Sequence, residues 1–191
     1  RLRTARFVGE MMEGSTFFAS PEVSVVAILV LTVLAGWDKK RKRIRWRAAV
    51  IPVLFALLVL GEVYGKTVVH HPAPPFFMIK NPTTIFPKYY INDQFSYPSG
   101  HAARAVFIAL LVSMCQCVNV SMKKGVSKKN IVIGGLLIAY VGLVFVSRIY
   151  LGHHWLSDIL GGWLLGAGLG AIAVGIDGYR GTPYNNKAMS T

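Results

Sequence analysis

The sequence predicts an all-α protein: a polytopic transmembrane helix bundle of about five spans, preceded by an N-terminal helix lying at the membrane interface. Three observations predict it. Apolar residues make up 53% of the 191-residue chain and fall in long runs instead of at amphipathic spacing, so lipid is the solvent they suit. The polar stretches between these runs alternate between strongly basic and nearly uncharged. In the last run Gly162, Gly166 and Gly170 recur every fourth residue, a pattern that lets two membrane helices approach closely. The formal charge of +13 is concentrated between the apolar runs and does not form a basic stripe interleaved with aromatics, which argues against nucleic acid as a partner.

A hydrocarbon layer of about 30 Å takes roughly 20 helical residues, which sets the length sought for each element. Residues 1–22 set Phe7, Val8, Met11, Met12, Phe17 and Phe18 among polar side chains, as in an amphipathic segment lying flat at the interface. The first span runs from about Val23 to Trp37. The second runs from about Ala48 to Val69, with Pro52 near its start, where a missing amide hydrogen is tolerated. The third covers about His101 to Val120, the fourth about Ile131 to Ser147, and the fifth about Asp158 to Ile176. Residues 177–191 form a polar tail, so 1–191 is a single membrane domain with its core at 23–176. Cys115 and Cys117, two apart in an apolar run, cannot bridge without severe strain and are expected as buried thiols.

Charge fixes an orientation. Residues 38–47 carry seven Lys or Arg, residues 121–130 four, and the tail two. The loops at 70–98 and 148–157 carry only Lys80, Lys88 and Arg148. The positive-inside rule therefore sets the basic segments and the tail in the cytoplasm and the two long loops on the opposite face. Arg1, Arg3 and Arg6 run against this pattern, which either an absent preceding helix or the interfacial reading of residues 1–22 accommodates, the second being favoured.

The chemically distinctive residues gather at the outer ends of the helices. In Tyr97-Pro98-Ser99-Gly100-His101, Ser99 is placed as a helix cap and Gly100 leaves backbone amides open to a ligand. A helix N-terminus favours an anion, although such a stretch is also what any loop leading into a helix contains. A second stretch, SRIYLGHHWLSD, ends the fourth span and begins the fifth. His154 and Asp158 are four apart, the spacing of neighbours on one helix face, so Asp158 can accept one ring hydrogen and leave the other nitrogen as a nucleophile. A transferring phosphoryl group needs alignment and positive charge around its oxygens, and Arg148 offers a fork of donors. Lys66, at the outer end of the second span, is either a further cation for that group or a lysine snorkelling to the headgroups.

These residues resemble the type 2 phosphatidic acid phosphatase superfamily, whose members include lipid phosphate phosphatases, glucose-6-phosphatase and vanadium haloperoxidases. Its signature is K-x6-RP, then PSGH, then SR-x5-H-x3-D. Pro98 to His101 match the second part, and Ser147, Arg148, His154 and Asp158 match the third. The resemblance implies that His154 attacks phosphorus, Asp158 orients it, and His101 protonates the departing oxygen. Lys66, Arg148, Ser99 and the Gly100 amide would hold the phosphate, and no metal or cofactor is implied. The five-residue interval after Arg148 selects His154, not His153, which is left as a supporting or solvent-facing residue. The first part departs from the pattern: counting from Lys66, the Arg-Pro pair falls on Ala73-Pro74. A lost transition-state donor costs on the order of 3 kcal/mol, about a hundredfold in rate. Either His70 or His71 substitutes, or the arginine has been removed by design, or the chain binds phosphate without efficient turnover.

The implied substrate is a membrane lipid phosphate or diphosphate whose tail stays in the bilayer: phosphatidate, phosphatidylglycerol phosphate, a polyprenyl diphosphate or a phosphorylated glycolipid. Residues 72–97 hold seven Phe or Tyr, which either cover the substrate or anchor the loop at headgroup depth. A hydrolase resolving a phosphohistidine with water is the leading expectation. A lipid phosphotransferase using the same intermediate and a non-catalytic lipid-phosphate binder are the alternatives. The expected location is the plasma membrane, with the site on the extracytoplasmic face.

Overall fold

The structure is a computed structural model that describes residues 2–38, 43–44, 46–79, 95–117 and 127–178. Among these residues there are six α-helices: α1 (Leu2–Phe17), α2 (Pro21–Gly36), α3 (Val50–Val68), α4 (Gly100–Cys117), α5 (Lys128–Tyr150) and α6 (Leu156–Gly178). The helix starts have local causes. Ser20 caps α2 by accepting from the Val23 amide, and Pro21 takes the first helical position, where no amide donor is needed. Ser127 caps α5 through the Lys129 amide. Strands β1 (Trp37–Asp38) and β2 (Arg43–Ile44) pair antiparallel beyond α2, with Trp37 opposite Ile44.

Helix α4 lies at the centre and packs against α2, α3, α5 and α6. Ala102, Ala103, Ala105, Phe107 and Leu111 are all buried. The main core joins Ile28 of α2, Leu54 and Leu58 of α3, Phe107 and Leu111 of α4, and Ala173 of α6. Phe55 and Phe107 meet at 6.0 Å between ring centres. The expected glycine face is the α4–α6 seam: a β-carbon at Gly162 would overlap the Ser99 carbonyl, and one at Gly166 the Ala103 carbonyl. A β-carbon at Gly170 would lie 2.7 Å from Leu110 Cδ1. Close backbone approach there is why residues without side chains recur.

The outward faces are apolar, with Leu60, Leu136, Ile138 and Leu164 all more than 60% exposed, as helices solvated by lipid require. Four stretches are long and apolar enough to cross a membrane: 7–36, 50–68, 128–150 and 156–176. Helix α4 is the fifth apolar helix, its described part 18 residues long.

The boundaries differ from the sequence reading in an instructive way. Helices α5 and α6 extend beyond the apolar runs, so Lys128, Lys129 and Arg148 are helical. Residues 2–17 are helical as expected; α1 packs against α5, and a turn at 18–20 joins it to α2. Most of the predicted tail, and residues 80–94 of the aromatic loop, lie outside the described residues.

Candidate active site

The end of α3, the start of α4, the end of α5 and the start of α6 converge. The link between the last two motifs is a backbone one: the Ser99 amide donates to the Asp158 carbonyl at 2.9 Å. The Tyr97–Pro98 turn rests on α3, since a β-carbon at Gly65 would overlap the Pro98 ring. Between α5 and α6 the chain turns at Gly152, whose φ of 73° and close approach to the Met78 carbonyl both exclude a side chain.

Asp158 is fully buried, in the first turn of α6. Its Oδ2 accepts the Trp155 amide at 2.8 Å, so the carboxylate reaches back to cap its own helix as in a capping box. His154 Nδ1 lies 3.5 Å from the same oxygen. The expected geometry is corrected here. His154 precedes the helix and does not share its face with Asp158, because Trp155 and Asp158 form the helix start and the two side chains meet across it. The chemical consequence survives: Nδ1 faces the carboxylate and Nε2 is the nitrogen left for an electrophile. Burial pushes the His154 imidazole down to about 4; Asp158 opposes the shift, while Arg148 and Lys66 reinforce it. The ring is therefore neutral at pH 7, the form a nucleophile needs.

Arg148 is buried in the last turn of α5, with Nη2 3.0 Å from His153 Nδ1. A guanidinium only donates, so His153 Nδ1 is the acceptor and its proton sits on Nε2. His153 thus supports the arginine, one of the two roles expected for it. His101 is buried in the first turn of α4, where the charges of Arg148, Arg104 and Lys66 act on it. Ser99 occupies the cap position of α4, but its hydroxyl does not cap: the Oγ is buried without a hydrogen-bond partner among the described residues. Beside it Gly100 is closed on one side by the Glu62 carboxylate, which a β-carbon there would overlap.

Lys66 is not a snorkelling lysine. It is buried, and its Nζ pairs with Glu62 Oε1 at 2.8 Å. The other carboxylate oxygen, Glu62 Oε2, takes Arg104 Nη1 at 2.6 Å, and Arg104 Nε donates to the Ala19 carbonyl at 3.1 Å. The adjacent histidines diverge. His70 meets Phe95 edge-on at 4.9 Å, whereas His71 Nδ1 lies 3.1 Å from Asp158 Oδ1 and its Nε2 3.3 Å from Ser157 Oγ. Trp155 Nε1 donates to the Pro72 carbonyl at 2.9 Å, fastening this segment to the start of α6. Ala73 is half-buried beside it.

All seven residues singled out from the sequence therefore lie at one end of the bundle; Glu62 and Arg104 were not assigned there, and His71, considered in place of the missing arginine, faces Asp158 instead. Their signals existed. Glu62 stands one helical turn before Lys66, and Arg104 one turn after His101, both as ionisable residues in apolar helices, where the cost of a charge makes a functional role the default. Chemically, the group combines a neutral imidazole beside a carboxylate, a second buried imidazole, and three cations near a helix N-terminus. Such a set can bind a phosphate and transfer it to nitrogen.

Comparison with known proteins places the chain in a family. Residues 49–181 match the PAP2 superfamily. The chain is 35% identical over 138 residues to an undecaprenyl-diphosphatase of Sulfolobus acidocaldarius, covering 71% of this chain and 58% of that protein's length. It is 32% identical over 171 residues to phosphatidylglycerophosphatase B of Bacillus subtilis, covering 90% of this chain and 76% of the relative. The fold is similar to the crystal structure of a transmembrane PAP2-type phosphatidylglycerolphosphate phosphatase from Bacillus subtilis, with TM-score 0.70, 22% identity, and coverage of 91% and 78%. It is also similar to Aquifex aeolicus LpxE, with TM-score 0.59, 21% identity, and coverage of 88% and 86%. With its apolar helices, this makes the chain an integral membrane protein.

Proposed function

The chain belongs to the PAP2 superfamily, and from that premise we propose that it is a membrane hydrolase removing phosphate from a lipid phosphate or diphosphate through a phosphohistidine. The observation that carries the proposal is the meeting of His154 with buried Asp158 at the point where the Ser99 amide joins the Asp158 carbonyl. That bond brings the start of α4 to the start of α6.

In the proposed reaction His154 Nε2 attacks phosphorus and a nitrogen–phosphorus bond forms as the bond to the leaving oxygen breaks. Asp158 balances the positive charge that develops on the ring. His101 gives the leaving oxygen its proton. Lys66, Arg148, the Ser99 hydroxyl and the Gly100 amide bind the phosphoryl oxygens. Water, activated by the now basic His101, then attacks phosphorus, returning phosphate and neutral His154. No cofactor takes part in these steps.

A lipid substrate is supported by the apolar exterior of the helices that carry the site and by the named activities of the two sequence relatives, an undecaprenyl-diphosphatase and a phosphatidylglycerophosphatase. The basic loops at the opposite helix ends support an extracytoplasmic site in the plasma membrane. Phosphate release from purified protein in detergent against phosphatidate, phosphatidylglycerol phosphate and a polyprenyl diphosphate tests the proposal, with and without lipid acceptors. Free phosphate without an acceptor is expected. Acceptor-dependent product with no free phosphate would make the protein a phosphotransferase instead.

A further inference from the structure

The first motif lacks the arginine that its pattern calls for, yet the site has a cation that the pattern does not include. Arg104 lies one turn into α4 beyond His101, buried and bonded to Glu62. Its charge acts on both His101 and Arg148, which puts it electrostatically within the same group. Glu62 is equally unexpected, a carboxylate in a site meant for an anion. Its position is specific. It bonds Lys66 with one oxygen and Arg104 with the other, and it lies against Gly100 at the start of α4. A helix N-terminus flanked by two cations is where a phosphate would be most favoured.

We propose that Glu62 is a resident counter-anion of the phosphate pocket, and that Arg104 and Lys66 exchange it for the substrate's phosphate, Arg104 thereby supplying the cation missing at Ala73. The proposal rests on the phosphatase reading for its substrate. Its physical basis is charge: Glu62 holds the buried cations Lys66 and Arg104 at 2.8 and 2.6 Å beside the start of α4, where an arriving phosphate would meet both. Without Glu62, the two buried cations that it joins would repel one another. With it they are preorganised, and phosphate binds against the competition of a tethered carboxylate. A partner serving only to neutralise Arg104 would have no reason to share Lys66 or to lie on Gly100.

Inorganic phosphate is the probe. Its Kd is measured by calorimetry on the full chain in detergent, with Glu62→Gln, Arg104→Gln and the double variant compared to wild type. Glu62→Gln is expected to bind phosphate at least tenfold more tightly and to show correspondingly stronger product inhibition. Arg104→Gln is expected to bind at least tenfold more weakly. If Glu62→Gln fails to fold, the double variant decides, because it removes both partners of the Glu62–Arg104 ion pair; it is expected to fold and to bind phosphate at least tenfold more tightly than Arg104→Gln, since Lys66 is released from Glu62. Unchanged or weaker phosphate binding by folded Glu62→Gln, or a double variant that binds phosphate no more tightly than Arg104→Gln, would overturn the proposal. A wild-type protein that turns over no lipid phosphate would sink the phosphatase reading, while the expected order of Kd values would still support the exchange of Glu62 for phosphate.

Discussion

Asp158→Asn tests the proposed chemistry with the least disturbance to the fold. Asparagine has the same shape, and its amide oxygen can keep the hydrogen bond from the Trp155 amide that now measures 2.8 Å. What is lost is the negative charge 3.5 Å from His154 Nδ1, in a fully buried position. At that separation unit charges interact by roughly 5 kcal/mol at an effective dielectric of about 20. The interaction counts only as the imidazole becomes positive on attacking phosphorus, so it acts on kcat and not on substrate binding. The amide dipole recovers part of it. A fall of about 10²- to 10³-fold in kcat is expected, with KM changed by less than about threefold, both read from phosphate release at pH 7. Thermal melting in detergent should stay within a few degrees of wild type, because the helix cap is retained. Asp158→Asn with kcat within threefold of wild type would refute an electrostatic role for the carboxylate. An equal loss with a collapsed melting temperature would assign Asp158 to folding alone.

The pH profile follows from the buried imidazole. His154 loses its free nitrogen only when protonated, so kcat/KM should fall as pH drops through about 4; an acid limb centred at pH 6.5 would contradict a buried neutral nucleophile. The same shift has a stability sign: with the folded value below the unfolded 6.5, this group's contribution is intact above pH 6.5 and declines as pH falls toward about 4, which acid melting curves should display. Ala73→Arg should raise turnover by less than about threefold if another cation already serves, whereas a gain approaching the roughly hundredfold value of a transition-state donor would show that nothing does. Gly166→Val should lower thermal stability markedly, because the added side chain meets the Ala103 backbone carbonyl and not a flexible side chain; an unchanged melting temperature would contradict the close α4–α6 seam.

Most of the architecture was legible because lipid imposes a simple code: apolar runs for spans and regularly spaced glycines for a tight seam. The Gly162, Gly166 and Gly170 pattern announced a close helix contact without naming the partner, which is α4. Helix ends were less legible, since apolar runs stop at the edge of the hydrocarbon while the hydrogen-bonded backbone continues past it, carrying Arg148 into α5. The spacing of His154 and Asp158 was read as a shared helix face when it reflects a helix start. Four residues separate both arrangements, and only the Trp155 amide bond distinguishes them. Glu62 and Arg104 were passed over because they lie in different helices, 42 positions apart, and their pairing exists only once α3 and α4 have packed. His71 was considered for the missing arginine, but its ring faces Asp158 and Ser157.

The proposed nucleophile can be tested by trapping. Brief exposure of the protein to a lipid phosphate labelled in its phosphoryl group, followed by alkaline quench and peptide mapping, should give an acid-labile label on the peptide carrying His154. The label should be absent from His154→Ala and present in His153→Ala. Label on His153 or His101, or turnover retained by His154→Ala, would contradict the account.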